Sequence, residues 1–84
     1  MPKISEFFGI KIYIYDHHPA HFHAKYAGED AQISIEDLTV MRGKLAPRAM
    51  GLVIEWATLH QKDLRKAWKQ AIQQKQIKPI EPLR

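Results

Sequence analysis

Four of the chain's five histidines fall within ten residues: Asp16-His17-His18-Pro19-Ala20-His21-Phe22-His23-Ala24-Lys25. Imidazole changes charge near neutral pH and ligates zinc, copper and nickel, so such a cluster offers either proton transfer or metal binding. On an extended strand, His21 and His23 project from one face about 7 Å apart. So placed, they share a metal or act as an acid and a base once a third group arrives. His17 on the preceding loop and the distant His60 are the candidates for that group, with Asp16 as a carboxylate ligand or ring orienter. The expected metal set is His17, His21 and His23, holding zinc, copper or nickel if any metal is bound; the expected catalytic set adds His60. The ordinary alternative is a group of turn histidines bonded to backbone and water.

Little else in the chain offers chemistry. The absence of cysteine excludes disulfides and thiolate zinc sites. There is no glycine-rich phosphate loop, and Ser34 near His23 lacks an orienting third partner for a nucleophile triad. Pro2 would become a secondary amine if Met1 were removed, but only its position argues for a role. At 84 residues the chain is expected to be one domain with a single modest core. No stretch approaches the roughly 18 apolar residues of a membrane span, and no signal-peptide run is present, so a soluble cytoplasmic protein is expected. Thirteen Lys and Arg against nine Asp and Glu give a net charge of +4, a mild excess suited to an acidic partner.

The elements that must hold the histidines follow from periodicity. Phe8, Ile10, Ile12 and Ile14 alternate with Lys11, Tyr13 and Tyr15, which predicts a strand with one buried face. Pro19 breaks this into a loop. Alternation resumes with Phe22, Ala24 and Tyr26 facing the core and His21, His23 and Lys25 facing away; Ala31, Ile33 and Ile35 continue a third strand after a turn tipped by Gly28 and Glu29. That register pairs Tyr26 with Ala31, Ala24 with Ile33 and Phe22 with Ile35, and sets His23 opposite Ser34 and His21 opposite Glu36. The carboxylate would then raise the pKa of His21. Leu38 to Arg42 is a candidate fourth strand ended by Gly43.

Pro47 suits the first turn of a helix running to about Leu59, on which Ala49, Leu52, Val53, Trp56, Ala57 and His60 recur at helical spacing. From Gln61 to Gln74 an apolar stripe (Leu64, Ala67, Trp68, Ala71, Ile72) opposes a basic one (Lys62, Arg65, Lys66, Lys69). Propensity leaves open whether His60 to Asp63 breaks the helix. The proline-bearing Ile77 to Leu83 is expected to be extended, with Ile80 packed along an edge.

Three motifs carry a family resemblance: Ile4-Ser5-Glu6-Phe7-Phe8-Gly9-Ile10, Asp16-His17-His18-Pro19-Ala20-His21-Phe22-His23, and Glu55-Trp56-Ala57-Thr58-Leu59-His60. Together they resemble a small prokaryotic domain-of-unknown-function family, number 4160, whose signature is Asp-His-x-Pro-Pro-His-Phe-His. His17, His21 and His23 match that signature and His60 matches the family through the third motif; His18 occupies the variable position and Ala20 replaces the second proline. Genes of that family often lie beside a second small reading frame in an arrangement like toxin–antitoxin operons. The resemblance thus implies a small protein partner encoded nearby or an RNA target.

The expected architecture is α+β: an antiparallel sheet of three or four strands, with two C-terminal helices packed on one face and the histidines on the other. The leading functional expectation is a basic binding module of a two-gene system, contacting RNA or its partner through Lys62, Arg65, Lys66, Lys69, Tyr13 and Tyr15, with self-association also open. The competing expectation is a metal-dependent or metal-free ribonuclease or hydrolase working through the histidines.

Overall fold

Apolar alternation builds the sheet, and the chain closes it one hairpin at a time. The computed structural model describes residues 3–84, so Pro2 lies outside the described residues. Strands β1 (Lys3–Phe7), β2 (Ile10–Ile14), β3 (His21–Tyr26), β4 (Glu29–Ser34) and β5 (Val40–Gly43) stand in chain order, each antiparallel to the next. Helices α1 (Pro47–Leu59) and α2 (Gln61–Ile72) follow. The fold is α+β with two C-terminal helices, and its sheet has five strands rather than three or four.

The additional strand comes from the segment expected to start a single strand at Phe8. Phe8 and Gly9 have φ of 51° and 80°, two consecutive positive values that form a tight hairpin turn, so Phe8 is 61% exposed instead of facing the core. A bulge between Lys3 and Ser5 buries both Ile4 and Ser5 and breaks the alternation that would have marked β1. The free edge of β1 is covered by the C-terminal segment: the Ile80 N–H donates to the Ile4 carbonyl at 2.8 Å, and Ile80 and Leu83 are buried.

One face of the sheet is the core. Ile10, Ile12, Ile14, Phe22, Ala24, Ala31 and Ile33 are fully buried, with Val53, Trp56, Ala57 and Leu64 from the helices. The Trp56 ring centres this layer, 5.4 Å from the Phe7 ring and 5.9 Å from that of Phe22.

The β3–β4 hairpin turns at Ala27-Gly28, with φ of 51° and 81°, not at Gly28-Glu29. The pairs are therefore Tyr26 with Glu29, Ala24 with Ala31, Phe22 with Ile33, His23 with Gln32 and His21 with Ser34. Every expected partner is displaced by two residues. A shift of two preserves the face of each side chain, which is why the expected core survives a wrong register. It does remove Glu36 from His21: Glu36 lies beyond the strand and approaches Arg65 instead, at 3.5 Å.

Strand β5 starts at Val40 rather than Leu38, because Leu38 takes φ of 57° in the preceding turn. Gly43 ends it as expected; at φ 78° a Cβ there would lie 2.1 Å from the Asp30 carbonyl oxygen. The two helices break at His60, whose N–H donates to Trp56 and Ala57 carbonyls while its own carbonyl accepts from Leu64. The Gln61 amide donates to the carbonyls of Ile35 and Glu36 at 2.8 and 3.0 Å, tying the start of α2 to the end of the sheet. On α2, Leu64 and Ala67 are buried and Trp68 and Ala71 half-buried, but Ile72 is 38% exposed and closes the apolar stripe early. No helix among the described residues is long and apolar enough to cross a membrane.

Candidate functional site

The helices leave the second face of the sheet uncovered, and strand alternation sends Lys11, Tyr13, His23, Lys25, Gln32 and Arg42 to it. Tyr15, just past β2, joins them with its ring centroid 4.2 Å from that of His23 in an edge-on contact. The Lys25 ammonium stands 5.1 Å over the Tyr13 ring and 3.9 Å from Asp30. At one end of this face the loop bearing Asp16 to Ala20, with a cis peptide between His18 and Pro19, bends over β3. A groove of about 610 Å³ opens there, lined by Tyr15, His17, His18, Pro19, His21, His23, Gln32, Met41 and Arg42.

His21 and His23 share the uncovered face as expected, but they are not equally wet. His21 is only 6% exposed because the loop covers it, and its Nδ1 donates to the Pro19 carbonyl at 2.7 Å. His23 is half-buried, with Nδ1 3.5 Å from an Asp30 carboxylate oxygen. The two Nε2 atoms face each other at 3.2 Å. The Pro19 carbonyl only accepts, so His21 Nδ1 carries a proton and the bare Nε2 of the neutral His21 ring accepts from the Nε2–H of His23. One proton therefore already lies between the two neutral rings. Desolvation lowers the pKa of His23, an effect that the charge of Asp30 offsets in part and that of His21 reinforces.

The other expected site residues are scattered. His17 is exposed and shares the groove, while His18 leaves it partly to place its ring edge-on to Trp68, centroids 5.0 Å apart. His60 does not reach the groove: it sits between α1 and α2, its ring 5.7 Å from that of Trp56 and its Nδ1 3.5 Å from Asp63. Asp16 is exposed and does not line the groove. Among the described residues no three of His, Asp and Glu stand together as a metal-holding group. Lys62, Arg65, Lys66 and Lys69 are all exposed on the helix layer, away from the face bearing Tyr13 and Tyr15; of the four, only Arg65 has a carboxylate within 4 Å among the described residues.

Three groups of the site escape sequence reasoning. Asp30 becomes visible only with the turn at Ala27-Gly28, which pairs it with Lys25 and puts it diagonal to His23. Arg42 enters the groove by pairing with Gln32, and Met41 by occupying the irregular step between the Gln32 and Ile33 pairings.

Comparison with curated proteins and with solved structures finds no match. The family model for the domain of unknown function DUF4160 matches residues 9–69, a span that runs from the first hairpin turn through the histidine loop and most of α2. The chain belongs to the DUF4160 family.

Proposed function

We propose that this chain is a small RNA-binding module that takes a single strand across the uncovered face of its sheet. The observation that carries the reading is the composition of that face: Tyr13 and Tyr15 stand among Lys11, Lys25 and Arg42, beside a groove lined by histidines. Aromatic rings that stack on bases, interleaved with cations that meet phosphates, are what single-stranded RNA requires of a sheet surface. The net charge of +4 agrees in sign. The α2 stripe supplies charge without an aromatic ring among its four cations, so it is assigned the weaker, long-range part of the attraction. A place in a two-gene, toxin–antitoxin-like system comes from the family resemblance alone.

The test is equilibrium binding of untagged protein to a labelled single-stranded RNA oligonucleotide, against duplex RNA of the same sequence. Tyr15→Ala combined with Lys25→Gln is expected to weaken single-strand binding at least tenfold, because stacking contributes about 1–3 kcal/mol per base. Absence of binding at low salt, or binding indifferent to that double change, overturns the reading and leaves the face to a protein partner.

The facing Nε2 atoms favour a second reading, in which the bound strand is cleaved. A ring pair holding one proton between two nitrogens both accepts and donates, and Arg42 in the same groove suits a phosphate oxygen. His21 and His23 are its acid and base and His17 a flanking group, whereas His60 lies in the helix layer and takes no part. Incubating labelled RNA with the protein, with and without chelator, decides: cleavage abolished by His23→Gln supports it, and intact RNA ends it.

A further inference from the structure

We infer that the Nε2 atoms of His21 and His23 form a two-ligand site for one zinc ion. His21 Nδ1 is committed to the Pro19 carbonyl at 2.7 Å, and His23 Nδ1 lies 3.5 Å from the Asp30 carboxylate, which can accept from an N–H there. Carbonyl and carboxylate partners on the far nitrogen are the arrangement that fixes the tautomer and raises the basicity of a metal-binding histidine. The two Nε2 atoms share one proton across 3.2 Å; zinc takes its place when that proton moves to His23 Nδ1 beside Asp30.

That separation suits a tetrahedral ion. Two nitrogens bound to a tetrahedral ion at about 2.0–2.1 Å stand roughly 3.3 Å apart, whereas neighbouring nitrogens around a square-planar copper or nickel ion stand nearer to about 2.9 Å. The observed spacing is near the tetrahedral value, and the rings tilt so that both nitrogens aim at an ion beside the line that joins them. His21 is only 6% exposed, and the covering loop holds its ring in place. No third histidine or carboxylate among the described residues joins the pair. The remaining coordination positions therefore face the groove and are filled by water or by an oxygen of an incoming anion, which Arg42 on the groove wall would also attract. His17 lines the groove without being a ligand, a narrower set than the three histidines expected from the sequence.

This inference rests on ring geometry and not on RNA binding, and its test contains no RNA. Untagged, metal-free protein is titrated with micromolar zinc while the histidine ring nitrogens are followed by long-range proton–nitrogen NMR. The expected result is that the Nε2 signals of His21 and His23 shift together and saturate at one zinc per chain, while the rings of His17, His18 and His60 stay where they were. His23→Gln is expected to abolish the binding, and Asp30→Asn to weaken it about tenfold by removing the orienting carboxylate. Because changing the covered His21 risks disturbing the loop, the wild-type spectra carry its assignment. Unmoved Nε2 signals at micromolar zinc, or a His17 ring that shifts in step with the pair, would overturn the two-ligand site.

Discussion

The indole N–H of Trp56 donates to the backbone carbonyl of Glu81 at 2.7 Å, joining the most central side chain of the core to the C-terminal segment. Trp56 is fully buried, and the segment it holds places Ile80 and Leu83 over the edge of β1. Trp56→Phe removes the donor and part of the ring volume, at a cost of about 1–3 kcal/mol from the lost hydrogen bond and the space left behind. Glu81→Gln is expected to change stability little, since the bond uses the backbone and the Glu81 carboxylate pairs, among the described residues, with the exposed Arg84. Urea unfolding of the two variants checks this, and equal midpoints for Trp56→Phe and wild type would refute it.

The two sharp hairpins place non-glycine residues in left-handed backbone, Phe8 at φ 51° and Ala27 at φ 51°, each followed by a glycine. Asn-Gly is the favoured pair for such turns, because asparagine tolerates this region better than alanine or an aromatic residue. Ala27 is exposed and its replacement disturbs no packing. Ala27→Asn is expected to stabilise the protein by about 0.5–1 kcal/mol. A lower melting temperature would show that the turn is not of this type.

These turns also explain what was legible in the sequence. The alternation of Ile10, Ile12 and Ile14, and of Phe22 and Ala24, reports which face is buried, and it is insensitive to a register error of two residues. The apolar repeat through Val53, Trp56 and Ala57 likewise reveals α1. Strand β1 was hidden because its bulge buries neighbours, and the break at His60 because neither glycine nor proline marks it. The site was half legible. The shared face of His21 and His23 follows from a spacing of two, but the burial of His21 depends on a loop folding over it, and Asp30 and Arg42 arrive through strand pairings that composition does not encode.

Two basic surfaces lie on different layers, and salt dependence separates them. If single-stranded RNA runs over the sheet, replacing Lys25 and Arg42 by glutamine removes two phosphate contacts and flattens the slope of log affinity against log salt by about 1.4. Replacing Lys62 and Lys69 on α2 is expected to leave the slope nearly unchanged while slowing association, as loss of a remote attractive charge does. The opposite pattern, a flat response to the sheet variant and a loss of slope from the helix variant, would move the RNA to α2.

The titration of His23 in metal-free protein follows from its surroundings. Burial is the largest influence and favours the neutral ring, the Asp30 carboxylate pulls the other way, and His21 and Lys25 oppose the charge, leaving a pKa below the ordinary imidazole value. The unfolded chain therefore binds the proton more readily than the folded one. Stability from this residue is complete above the unfolded pKa near 6.5 and is lost as pH falls through the lower folded value. Asp30→Asn removes the one attractive charge, so it should drive the His23 pKa lower still. NMR of the ring protons against pH measures both values. A titration of His23 above that of free imidazole, or a rise on Asp30→Asn, would mean that charge and not burial governs this ring.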